Sequence, residues 1–174
     1  MQNLRRLLGL PVLEIEQGTQ IGEVQEVVLN VGQAAVTGMV IAEPTWFSHE
    51  RGIFFADLYS IGRDAVTVRS AAAVKDFSAA MAAAGVDRLT ALCDKEIYTE
   101  TGDYLGVMTD VSWEPATGEI RFYELSDGFI TDFLSGRLIM PLPPAQVVGK
   151  DKLIVPEAMI DLLQTANHDP GGVC

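Results

Sequence analysis

At 174 residues and 48% hydrophobic content, the chain has the composition of a folded globular protein, long enough for one ordinary domain or two small ones. Its 12 basic and 24 acidic side chains leave a net charge of −12, spread unevenly: residues 1–87 carry 6 and 10, residues 88–174 carry 6 and 14. Phosphate binding needs clustered Lys and Arg to release counterions, and no such cluster exists, which argues against direct contact with nucleic acid or anionic membrane. No apolar run approaches the roughly 20 residues of a spanning helix, which argues against insertion in a bilayer.

The first 16 residues carry Arg5 and Arg6 among leucines, turn acidic at once and show no small-residue cleavage site. They are not read as a signal peptide, and a cytoplasmic location is the default expectation. The β-branched content of 10–16 and the turn Gln17-Gly18 predict a strand and a reversal. A second strand is predicted over 21–30. Its apolar set Ile21, Val24, Val27 and Leu29 changes phase after Val24, which predicts a bulge, and Gly22 inside it predicts a bend. Strands at 34–43, 53–58 and 65–69 follow, separated by the turn Val31-Gly32-Gln33, the loop 44–52 and the turn Gly62-Arg63-Asp64. Five strands with short connections fit a small antiparallel barrel.

Residues 70–85 are alanine-rich, with Ser70 placed to cap and Gly85 to stop a helix. Val74, Phe77, Met81 and Ala84 share one face at helical spacing, so a connecting helix packed on a barrel is expected. Strands are then predicted at 92–98, 104–113, 119–125, 137–142 and 152–155. The turns Thr101-Gly102-Asp103 and Pro115-Ala116-Thr117-Gly118 are strongly signalled. An insertion at 126–136 has Ser126 as a cap and Phe129, Ile130, Phe133 and Leu134 on one face of a short helix. Pro156 is placed at the first position of a final helix, and the tail 168–174 is expected to be disordered.

The second half repeats the first. GTQIGEVQEVV, starting at Gly18, returns as GDYLGVMTDV, starting at Gly102; Gly18, Gly22 and Val27 map to Gly102, Gly106 and Val111 at one constant offset. Gly18 and Gly102 read as turn residues, Gly22 and Gly106 as positions where a strand bends. These stretches, with the turns IGRDAVTV and VGKDKLIV before the closing strands, resemble the PRC-barrel domain family over about four-fifths of the chain. The insertion resembles that of bacterial tandem PRC-barrel proteins of unassigned role. The resemblance implies a small barrel of the kind found in reaction-centre H subunits and ribosome maturation factors, where it serves as a docking module. It carries no catalytic residues.

The expected fold is therefore mainly all-β: two tandem small PRC-type barrels at 1–70 and 89–156, joined by a helix within 71–88, with a short C-terminal helix and tail at 157–174. Small units of this size bury only about 60–65% of their unfolded surface, so docking of the halves or self-association into a homodimer would add stability.

No nucleophile elbow, phosphate loop, dinucleotide fingerprint or zinc-protease helix is present. Two distant histidines, His49 and His168, give a triad or multi-histidine metal site little to draw on. Cys93 reads as a small buried hydrophobe and Cys174 as isolated. The acidic run Asp94, Glu96, Glu100, Asp103 and Asp110 lacks the spacing of a calcium loop and reads as a solvated face. No catalytic residue, cofactor or metal is expected. The candidates for an interaction surface are Trp46, Phe47, His49 and Arg51 in and beside the 44–52 loop, and Phe129, Ile130 and Phe133 in the insertion. Trp46 and Phe47 either plug one end of the barrel or mark a contact surface; Trp113 reads as core. Three functions remain: a non-enzymatic adaptor with an unknown protein partner, an accessory factor in ribosome or RNA metabolism acting through a ribosomal protein, and a small-molecule or metal-binding barrel.

Overall fold

The computed structural model describes residues 1–42, 50–83, 85–127 and 138–165. The fold is mainly β, in two copies of one strand order. The first copy contains β1 (Gln2–Asn3), β2 (Pro11–Glu14), β3 (Thr19–Asn30), β4 (Ala35–Ala42), β5 (Arg51–Phe54), β6 (Ser60–Ile61) and β7 (Val66–Val68). A connecting segment holds β8 (Lys75–Asp76), the helix α1 (Ser78–Met81), β9 (Val86–Arg88) and the helix α2 (Leu89–Leu92). The second copy contains β10 (Glu96–Thr99), β11 (Tyr104–Glu114), β12 (Glu119–Asp127), β13 (Leu138–Pro141), β14 (Val147–Val148), β15 (Lys152–Val155) and β16 (Gln164–Thr165). By contacts the chain divides into two compact units, Met1–Ala91 with Val111–Arg121, and Leu92–Asp110 with Phe122–Cys174.

In the first unit the ladder runs β6-β7-β2-β3-β4-β5-β8 and does not close on itself among the described residues. β2 and β9 take successive parts of one edge of the long β3, while β4 takes the other. The ladder departs from the antiparallel arrangement expected from the sequence: β2 and β7 run parallel, because the chain returns to β2 only after crossing over through β5 and β6. The expected bulge after Val24 is present, and a further one lies beside the expected bend at Gly22. Ile21 is the extra residue where Val12 pairs Gly22 and Leu13 pairs Gln20, and Gln25 where Val24 pairs Ile41 and Glu26 pairs Val40. At Gly22 a Cβ would sit 2.8 Å from the Ala42 carbonyl oxygen, so only glycine lets β3 and β4 approach this closely. The core is aliphatic, with Val12, Val27, Met39, Ile53, Val66 and Val68 fully or nearly fully buried.

The N-terminal residues add a part the sequence pattern did not announce. Leu4–Leu7 is one 3-10 turn in which Leu4 and Leu7, eclipsed at i and i+3, are both fully buried while Arg5 and Arg6 face solvent.

The expected helix over 70–85 is a helix of only four residues, α1, preceded by the 3-10 turn Ala71–Ala73 and by β8. The apolar residues still pack on the sheet, by a different device. Phe77 is fully buried against Val28 and Val40, with Phe54, Met81 and Val86 around it. Its ring fills a slot over Gly38 and Gly52; a Cβ on Gly52 would come within 2.7 Å of both the ring and the Met39 carbonyl oxygen. Phe54 packs on it at 4.7 Å between ring centroids. Because β8 pairs with β5, the backbone of 75–76 is extended where alanine propensity favours a helix. Tertiary pairing outweighs that propensity.

The second unit repeats the scheme as β14-β15-β10-β11-β12-β13-β16, again with one parallel pair, β10 and β15. Gly102 turns at φ +99 as Gly18 does at φ +67. Leu105 is the extra residue between Ile97–Gly106 and Tyr98–Tyr104, matching Ile21, and Gly106 sits at φ +140. The strand expected at 92–98 begins only at Glu96. α2 occupies 89–92, and Asp94 at φ +69 turns the chain, its N–H donating to the Met108 carbonyl at 2.8 Å. Cys93 is buried, as expected. Ser126 lies in β12, not at a helix start, and its hydroxyl donates to the Val107 carbonyl at 3.4 Å. The remainder of the expected insertion helix and the tail lie outside the described residues. The final helix is a single 3-10 stretch, Glu157–Leu162, with Pro156 flanking it and Met159 buried.

Candidate interaction surface

Of the residues singled out from the sequence, Trp46, Phe47, His49, Phe129, Ile130 and Phe133 lie outside the described residues. Arg51 opens β5 half-buried, and its Nη2 donates to the Val74 carbonyl at 3.1 Å, tying the connecting segment to the sheet. The structure therefore does not bring these candidates together into one described site.

It presents another surface. After β5 the 3-10 turn Phe55–Asp57 closes with the Leu58 N–H on the Phe55 carbonyl at 3.2 Å. The chain then enters β6, the outermost strand of the first unit's ladder. Tyr59 immediately precedes it, 54% exposed, with its N–H held by the Thr67 carbonyl at 2.8 Å. The Arg69 guanidinium lies over its ring at 4.8 Å. A cleft of about 490 Å³ opens on one side of Tyr59, bounded by Phe55, Leu58, Ile61, Pro115 and Ala116. A second, of about 380 Å³, opens on the other, bounded by Asp57, Arg69, Ser70, Ala73 and Lys75. The floor of the first is rigid: Phe55 meets Trp113 edge-on at 6.0 Å, and its ring lies so close to Gly118 that a Cβ there would come within 2.8 Å. Trp113 is fully buried, as expected of a core residue.

In the second unit, the corresponding outermost strand β14 carries Val147, 64% exposed. On another face Tyr98 and Tyr104 pack at 5.2 Å, and Lys152 forms an ion pair with Glu96 while lying 5.5 Å over the Tyr98 ring. The Lys152 hydrogen bond holds the Glu96 carboxyl below its ordinary value, and the same bond raises the Lys152 ammonium. Desolvation, then the Glu96 charge, raises the Tyr98 phenol. One Glu–Lys ion pair thus sits beside two packed tyrosines, while Asp110 of the acidic run is buried. Among the described residues no group of His, Cys, Asp and Glu is arranged to hold a metal ion.

Tyr59 escaped the sequence reading because strand periodicity says which face a residue is on, not whether its strand is the last of the ladder. The available signal was an aromatic beside Ser60 at a strand start, a mild one.

Two tandem copies of one small, mainly β unit, each with a parallel pair closing its hairpin, define the class of protein. The PRC-barrel domain family model matches twice, over residues 1–75 and 84–158, and the chain belongs to this family. A search among curated proteins gave no match. The PRC barrel is generally a non-catalytic fold. No described helix is long and apolar enough to cross a membrane.

Proposed function

We propose that the chain is a non-enzymatic, cytoplasmic docking module that binds a protein partner through the Tyr59 surface of its first unit. One observation carries this reading: a large aromatic, 54% exposed, that lines two clefts beside an outermost strand. Interfaces are enriched in Tyr and Arg at such anchors, and a sheet edge adds backbone groups for an incoming strand. The sequence candidates Trp46, Phe47, His49, Phe129, Ile130 and Phe133 belong to the same proposal as further contact residues.

The test is affinity purification of the tagged full chain and its Tyr59→Ser variant from the native host, with quantitative mass spectrometry. The variant is expected to lose at least one specifically enriched protein about tenfold while its melting temperature is unchanged, since a lost hot spot is worth that factor or more. Recovery of the same set at the same level would overturn the reading. Ribosomal proteins among those lost would assign the docking to ribosome metabolism.

A further inference from the structure

Within that docking surface, and resting on the docking reading, the smaller cleft has the chemistry of a receptor for one carboxylate. We infer that Arg69, lying over the Tyr59 ring, receives the carboxylate of an acidic side chain in an extended peptide segment of the partner.

The cation is placed before anything binds. Arg69 follows β7, and its carbonyl accepts the Glu16 N–H at 3.2 Å, so its backbone is fixed to the chain leaving β2. Its guanidinium is fixed by the Tyr59 ring at 4.8 Å. A guanidinium over an aromatic ring keeps N–H donors that can take a carboxylate two at a time. Among the described residues no acceptor takes them: the Arg69 side chain has the ring contact and no hydrogen bond or ion pair. Pre-placement of this kind reduces the ordering cost of binding.

The charge count selects the ligand. Two cations border the cleft, Arg69 and Lys75. Asp57 neutralises Lys75 through an ion pair of 2.7 Å. Glu14, a buried carboxylate that does not border the cleft, accepts the Ala71 N–H at 2.6 Å. One positive charge is left facing solvent from the cleft, on a chain whose net charge is −12. A carboxylate matches a single positive charge. A phosphate near its dianionic state needs more cations than the cleft offers. The Ser70 hydroxyl borders the same space and completes a small polar set around an otherwise alanine-lined floor. A cleft of about 380 Å³ is at the small end of the range for ligand sites and takes one side chain with its flanking backbone.

The experiment uses the isotope-labelled full chain and three peptides: Ac-GVEVG-amide, its glutamine counterpart Ac-GVQVG-amide, and the phosphoserine counterpart. The glutamate peptide is expected to shift the Arg69 side-chain Nε–H resonance and the amides of Ser70 and Ala72 saturably. It should bind at least about tenfold tighter than the glutamine peptide, and the phosphoserine peptide should gain nothing over it. Arg69→Lys should reduce the glutamate peptide to the level of the glutamine one, because a lysine supplies charge without the planar fork. Tyr59→Phe, which keeps the stacking face, should retain the preference. Equal binding of the glutamate and glutamine peptides, a preference that survives in Arg69→Lys, or a tenfold preference for phosphoserine would each overturn the inference. The first of these removes the carboxylate and leaves the docking reading standing; unchanged co-purification with Tyr59→Ser removes the docking reading itself.

Discussion

Ala34 shows how a single residue records the repeat and departs from it. It takes φ +52 at the end of the β3–β4 turn, a left-handed conformation that costs an L side chain about 1–2 kcal/mol. Its counterpart at the offset of the repeat is Gly118, at φ +77 in the β11–β12 turn. There glycine is doubly required, because the Phe55 ring occupies the place of a Cβ. At Ala34 the strain is simply carried. Ala34→Gly should therefore stabilise the protein by about 0.5–1 kcal/mol, the relief of strain less the added freedom of the unfolded chain. Urea denaturation followed by tryptophan fluorescence measures it; a loss of stability would mean that the Ala34 side chain contributes packing exceeding its strain. The turn was legible in the sequence, but the left-handed residue was not. The glycine in view was Gly32, and nothing in composition says that its neighbour two places on takes the positive φ.

At the scale of elements, the paired strands β10 and β15 carry the described pair whose charges respond to pH. Glu96 has its carboxyl lowered, so its contribution is present above its ordinary value of 4.5 and lost as pH falls through the lower folded value. Lys152 is raised, so its contribution is present below 10.5 and lost as pH rises through the higher folded value. Glu96→Gln should lower the urea midpoint slightly at pH 7, and the gap to the wild type should narrow as the pH falls below 4.5, with molar salt also narrowing it. A gap that persists unchanged at pH 3 would show that Glu96 acts through packing instead of charge. The strands themselves were largely legible, because the bulge at Gln25 follows from the phase change after Val24 and the bends at Gly22 and Gly106 from a strand glycine. The connecting segment was not. Alanine content and the spacing of Val74, Phe77 and Met81 fit a helix, yet the same spacing serves an extended β8 followed by one helical turn. Only the slot over Gly38 and Gly52 decides between them, and those glycines lie some 25–40 residues away in the sequence. The candidate site was the least legible part, since Tyr59 gains meaning only from its strand being outermost and from Arg69 folding onto its ring.

For the molecule as a whole, the units of the family and the units of packing differ. The family matches cover residues 1–75 and 84–158, one per copy, whereas the first compact unit also takes in Val111–Arg121. The reason is visible in backbone pairing. The Val36 N–H donates to the Gly118 carbonyl at 2.8 Å, the Ile120 N–H to the Ala34 carbonyl at 2.8 Å, and β1 pairs Gln2 with Trp113 and Asn3 with Ser112. Val111, Trp113 and Ile120 are buried, and Phe55 rests on Trp113 and Gly118. A fragment Met1–Ala91 contains the whole first repeat but none of these partners. It would leave the Phe55 ring short of cover and Gln2 and Asn3 without strand partners, and burying one large aromatic alone is worth about 3 kcal/mol. Small domains of this length have little stability to spare. The fragment should therefore unfold at least about 10 °C below the intact chain and bind a hydrophobic dye that the intact chain does not. A synthetic peptide spanning 109–123, added in excess, should restore part of the loss by mass action. A fragment as stable as the intact chain would show that the repeat is self-sufficient and that the borrowed strand ends add nothing.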